Sequence, residues 1–204
     1  QTRQFRRHQS SRSACLMKDK LVIDIETKNV FDDVGGRDFV EKLDASLVGV
    51  YSYDQNKYLH FKEGEWEKLA PLLQNARLII GFSINRFDLP VLNKYFGFNL
   101  MALPRFDILE EIELKFGRRI SLDILARINL GMSKTGHGLD AIEFYKQGNW
   151  QALTDYCLQD VKITKELYDL LKKQGFLQIP DRNTNEIHKV AIDVREVELP
   201  ATLF

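Results

Sequence analysis

Apolar residues first gather at Leu21-Val22-Ile23-Asp24-Ile25, a β-branched run that predicts a buried strand just after Lys20. A polar stretch holding Asp32, Asp33, Gly35 and Gly36 follows, and then come Leu47-Val48-Gly49-Val50-Tyr51-Ser52-Tyr53 and Tyr58-Leu59-His60-Phe61. These two runs flank Asp54-Gln55-Asn56-Lys57, so they are expected to form a hairpin that continues the sheet. Between Glu65 and Asn75, Trp66, Leu69, Leu72 and Leu73 recur at helical spacing, and Arg77-Leu78-Ile79-Ile80-Gly81-Phe82 returns to a short buried strand.

The remainder is mostly helical in period. Helices are expected from Leu89 to Phe96, Ile108 to Phe116, Leu122 to Leu130, Leu139 to Lys146 and Trp150 to Lys173, with glycines at 97, 117, 131, 136, 138 and 148 suited to helix stops. After Gly175, Pro180 is expected to break the chain, and Val190-Ala191-Ile192-Asp193-Val194 to form a peripheral strand. Strands first and helices around a further strand predict an α/β fold, a mixed central sheet flanked by helices on both faces.

A chain of 204 residues fits one domain with a full core. That domain is expected over residues 18–176, with 177–204 an extension packed on it. No apolar run approaches the roughly 18 residues of a membrane span, so no membrane association is expected. Cys15 and Cys157 show no metal-binding spacing, which points to a reducing, cytoplasmic setting without a structural disulfide. With 29 basic and 29 acidic residues the net charge is zero, which speaks against a protein that coats nucleic acid. It speaks less against a nuclease, whose clustered carboxylates are balanced by bound cations. Residues 1–17 carry Arg3, Arg6, Arg7 and Arg12 among serines, without an acid or an apolar segment, which excludes a secretory signal. Met17 before Lys18-Asp19-Lys20 reads as a natural start, so residues 1–17 are expected first to be non-native or untranslated-region sequence, second a transit peptide and third a disordered basic arm.

The chemistry is expected of carboxylates. Asp24 and Glu26 are two residues apart on the first strand, so both project to one face. Two acids on one face repel unless a cation lies between them, and an aspartate in so apolar a strand must be paired, protonated or metal-bound. Tyr156 and Asp160 sit one turn apart on the long helix, at the edge of a core-directed stripe of Leu153, Cys157, Val161 and Thr164. Asp88 opens a helix just after a buried strand; alone it reads as an acid favouring the helix dipole. Asp107 and Asp123 head helical stretches and are expected to cap them, while Phe82 and Phe87 are expected to pack in the core rather than stack on a base.

Taken together, Asp24-Ile25-Glu26-Thr27, Asn85-Arg86-Phe87-Asp88-Leu89-Pro90 and Tyr156-Cys157-Leu158-Gln159-Asp160 resemble motifs I, II and III of the DEDD exonuclease superfamily, with the tyrosine of its DEDDy branch. From about Leu21 to about Phe176, including Leu122-Asp123-Ile124-Leu125-Ala126 and Gly136-His137-Gly138-Leu139-Asp140, the chain is similar to stand-alone, polymerase B-related exonucleases of the ribonuclease H-like class, some fused to or beside helicases. The resemblance implies a 3'-5' exonuclease, single-stranded DNA favoured over RNA, acting on a free 3' end. It implies two Mg²⁺ ions, with Mn²⁺ as substitute, held by Asp24, Glu26, Asp88 and Asp160, and Tyr156 orienting the attacking water. Asn85 is implied as a contact to the terminal nucleotide, and Thr27, Lys134 and His137 are further substrate-binding candidates, with a loop and helix-cap role equally open to the last two. A helicase is the implied protein partner. Two alternatives stand beside this: a non-catalytic ribonuclease H-like module binding nucleic acid or a helicase, and a haloacid dehalogenase-like phosphatase. The phosphatase lacks its second aspartate, since Glu26 occupies that position.

Overall fold

The structure, a computed structural model, describes residues 19–133, 138–182, 184 and 186–194. Its centre is β1 (Asp19–Thr27), which pairs antiparallel with β2 (Ala45–Ser52), itself antiparallel to β3 (Lys57–Lys62). On its other side β1 runs parallel to β4 (Ala76–Gly81), and β4 parallel to β5 (Arg105–Asp107), giving the order β3-β2-β1-β4-β5. The sheet is therefore mixed, as the sequence pattern predicts. The step from β3 to the parallel β4 is made through α1 (Trp66–Gln74).

Alternation along β1 decides what covers each face. Leu21, Ile23 and Ile25 pack with Leu69 and Leu73 of α1 and with Leu89, Val91 and Leu92 of α2 (Asp88–Asn93). Val22 points the other way, into a cluster built with α3 (Ile108–Phe116), α4 (Leu122–Leu130) and α6 (Trp150–Gln174). By the same period Asp24 and Glu26 fall on the α6 face. The N-terminal part of α6 also packs against α5 (Gly138–Lys146) around Leu47, Ala141 and Leu153.

Several boundaries depart from the sequence pattern. The second helix spans Asp88–Asn93 rather than running on to Phe96. The three-residue β5 is found where no strand is expected. Pro180 does not break the chain: it closes β6 (Phe176–Pro180), which pairs antiparallel with β7 (Ile187–Ala191). That second strand starts three residues earlier than the apolar run from Val190 suggests, because Phe176 pairs with Ala191 and the register runs back from there. Leu177, Ile179, Val190 and Ile192 of this hairpin are buried in the same cluster as α3, α4 and α6. At α4 the cap is Ser121, whose hydroxyl accepts the Ile124 N–H at 3.3 Å; Asp123 lies inside the first turn and pairs with Arg127 at 3.1 Å.

Candidate active site

Asp24 stands opposite Gly49 in the β1–β2 ladder. A Cβ on Gly49 would meet Cys157 Sγ and Val161 Cγ2, each at 2.9 Å, so the missing side chain is what lets α6 lie this close to the sheet. The closeness brings α6 against the acids of β1. The Cys157 thiol donates to the Asp24 backbone carbonyl at 3.5 Å and to its carboxylate at 3.7 Å. Ligand atoms of Asp24, Glu26 and Cys157 all lie within 4.8 Å of one another. Tyr156, next to Cys157 in α6, and Asp160, three residues further on, are both buried.

The third segment is positioned by a tight turn after β4. Gly81 has no room for a side chain, since a Cβ would lie 1.9 Å from Ile84 Cγ2, and Ser83 adopts a left-handed φ of 69°. Asp107 holds this turn. Its carboxylate accepts the Ser83 N–H at 2.8 Å and the Asn85 N–H at 3.0 Å, while also capping α3 through the N–H groups of Leu109 and Glu110. The turn delivers Asp88, only 3% exposed, to the first position of α2. Burial, and then the negative charges of Asp107 and Asp160, push its carboxyl up to about 8; hydrogen bonds from the Asp88 and Ile25 backbone pull the other way.

Asp24, Glu26, Asp88, Tyr156 and Asp160 line one cleft of about 670 Å³. Its far wall comes from the loop between β1 and β2, closed at its neck by the Lys28 N–H to Asp44 carbonyl bond at 2.8 Å and the Asp44 N–H to Asn29 Oδ1 bond at 2.9 Å. Phe31 on that loop meets Phe87 edge-to-face at 5.8 Å, and the Arg37 guanidinium lies 4.8 Å over the Phe31 ring. Arg86 and Arg119 supply positive charge on the opposite side, both turned toward Glu113, at 2.8 and 3.9 Å. Phe82 and Phe87 also line the cleft, although each packs against the core behind it.

The donor set suits a hard divalent cation. Four carboxylates line one cleft, three of them buried, and like charges gathered there favour bound positive charge. Cys157 does not alter that preference: burial, followed by the charges of Asp24, Glu26 and Asp160, raises its thiol well above the usual range and keeps it neutral.

Of the remaining sequence candidates, Asn85 and Thr27 do not line the cleft. The Asn85 side chain donates to Glu110 at 2.6 Å and accepts from Arg105 Nε at 2.6 Å, and the Thr27 hydroxyl donates to the Asn29 carbonyl at 2.9 Å. Lys134 and His137 lie outside the described residues. Sequence reading missed Arg37, Arg86, Arg119 and Phe31, which only the fold brings to the acids, and the second role of Asp107, which a helix-cap pattern does not reveal.

The five-stranded sheet with its covering helices is a ribonuclease H-like fold. A sequence profile of the RNase_H superfamily matches residues 21–172, three-quarters of the chain, and the protein belongs to that superfamily. Among solved structures, the family B DNA polymerase from the hyperthermophilic archaeon Pyrobaculum calidifontis is similar, with a TM-score of 0.58 and 20% identity over 76% of this chain. The match takes up 24% of the polymerase, so the chain spans about a quarter of its length, and at that identity the likeness is one of fold. No curated protein sequence matches. The superfamily indicates a nuclease and sets the phosphatase alternative aside. No helix among the described residues is long and apolar enough to cross a membrane.

Proposed function

We propose that the protein is a divalent-metal-dependent 3'-5' exonuclease that hydrolyses the terminal phosphodiester of a nucleic-acid strand, single-stranded DNA in preference to RNA. The observation that carries this reading is the meeting of Asp24, Glu26, Asp88, Asp160 and Tyr156 in one cleft, from three separated stretches of chain. A module that only bound nucleic acid would have no use for four carboxylates facing phosphate.

Asp24, Glu26, Asp88 and Asp160 would hold two Mg²⁺ ions, for which Mn²⁺ can substitute. When bound, such ions neutralise the scissile phosphate and lower the pKa of the attacking water. The chain's own groups do the rest. Tyr156, buried and one helical turn before Asp160, would use its hydroxyl to orient the attacking water. Arg86 and Arg119 attract the phosphates of the incoming strand. Phe31 and Phe87 offer ring faces and edges to the terminal base. A helicase that frees the strand is the protein partner implied by the sequence resemblance.

A 5'-labelled single strand incubated with the protein and Mg²⁺ should shorten in single-nucleotide steps from its 3' end, and the ladder should vanish with Asp24→Ala. Undiminished trimming by that variant, or none by the wild type in either Mg²⁺ or Mn²⁺, would overturn the assignment.

A further inference from the structure

The cleft does not end at the acids. A second concavity shares Asp24, Asp160, Phe82, Ser83 and Arg119 with it. A third continues from Arg119, Ile120 and Ser121 and finishes against Pro180, Asp181 and Arg182 at the turn of the β6–β7 hairpin. We propose, on the strength of the exonuclease function above, that these form one furrow carrying the phosphate backbone of a single strand away from the acids. Arg118 and Arg119 in the α3–α4 connection and Arg182 on the hairpin are its phosphate contacts.

The hairpin lies beyond residues 21–172, the stretch that the superfamily profile matches. It is also firmly seated. The Arg118 guanidinium donates to the Pro180 carbonyl. Asn129 of α4 donates to the Gln178 carbonyl and accepts the Gln178 N–H, both at 2.8 Å, while Leu177 and Ile179 are buried. The strand that leads to exposed Arg182 is thereby anchored at this end of the furrow. The acid at this end is partly spent within its own turn, since Asp181 accepts the Thr184 N–H at 3.0 Å. Arg119 is exposed, its ion pair with Glu113 is long at 3.9 Å and its bond to Ser83 Oγ, at 3.2 Å, is itself exposed, so turning to a phosphate costs it little.

The two ends of the path differ in chemistry in the sense a 3'-end enzyme requires. Aromatic rings at Phe31 and Phe87 suit the base of the last nucleotide. The arginine-lined end suits the charged backbone of the nucleotides before it, in a protein whose overall charge is zero. The hairpin therefore gives the enzyme a preference for strands long enough to reach it.

Binding of a fluorescein-labelled oligothymidylate, in Ca²⁺ and over a range of salt, tests this, with a labelled trinucleotide as the short reference. Arg182→Ala should weaken binding of the long strand several-fold and lower its salt slope by about 0.7, the value for one phosphate contact on a single strand. Arg182→Glu should weaken it further, and the wild type should favour the long strand over the trinucleotide more strongly than either variant. If both variants match the wild type in affinity and salt slope, the furrow is not the strand's path, and the exonuclease assignment stands on its own trimming assay. If the Arg182 effect is present but the wild type trims nothing in Mg²⁺ or Mn²⁺, the path survives and the exonuclease assignment fails.

Discussion

Asp107 fixes the conformation of Ser83: its carboxylate accepts the Ser83 backbone N–H at 2.8 Å, and Ser83 carries the left-handed φ of 69° that turns the chain toward Asp88. One side chain thus caps a helix and steadies an unfavourable turn five residues before a predicted metal ligand.

Asp107→Ala removes the cap and two loop bonds at a buried position, and a loss of about 2–4 kcal/mol is expected in urea denaturation. At temperatures where the variant stays folded, divalent-ion affinity should also fall, because Asp88 is no longer held. An affinity equal to that of the wild type would separate Asp107 from the site.

Gly49→Ala places a methyl group 2.9 Å from both Cys157 Sγ and Val161 Cγ2. Either α6 shifts or the ladder bends, and overpacking of this kind costs about 1–3 kcal/mol. Trimming should drop more than stability does, since the displaced helix carries Tyr156 and Asp160. Denaturation midpoints and rates measured on the same preparation compare the two losses.

Asp88 shapes the response to pH. Its folded carboxyl, pushed to about 8, lies above the 3.8 of an ordinary aspartate, so between those values the metal-free native state holds a proton that the unfolded chain has released. The stabilisation is fully present below about pH 4 and is lost as pH rises through about 8. In EDTA, Asp88→Asn should flatten this decline, visible as a gap between the urea midpoints of variant and wild type that widens with pH. The same proton must leave before a cation is bound, so calorimetry at neutral pH in buffers of different ionisation heat should register proton release on Mg²⁺ addition by the wild type and less by Asp88→Asn.

Tyr156→Phe keeps the ring in its buried seat and deletes only the hydroxyl. A fall in kcat of roughly 10²-fold or more with little change in KM is expected if that hydroxyl acts on the water. A rise in KM at constant kcat would instead make Tyr156 a substrate contact.

Much of this architecture is written in local pattern. The alternation of β1 places Asp24 and Glu26 on one face, and helical spacing places Tyr156 and Asp160 one turn apart; both relations survive folding because they depend on a single element's period. What resists reading is whatever depends on two elements at once. β5 has three residues and one core side chain, Phe106, too short for any period to show. The β6–β7 hairpin is set by the pairing of Phe176 with Ala191, and Pro180 is tolerated at the end of a strand in a two-stranded ribbon. Asn85, so close to Asp88 along the chain, is drawn off to Glu110 and Arg105 by neighbours that no local motif records. Arg119 reaches the cleft from a connection between helices, with nothing in its surroundings to distinguish it from any surface arginine.

The acid cluster draws on both the first strand of the domain and its last long helix, with Asp24 and Asp160 136 positions apart. A chain still emerging from the ribosome carries Asp24 and Glu26 early but gains its fourth carboxylate only when nearly the whole superfamily region has been made. On the proposed function, a half-made molecule therefore lacks the full set of carboxylates that would hold the metal ions.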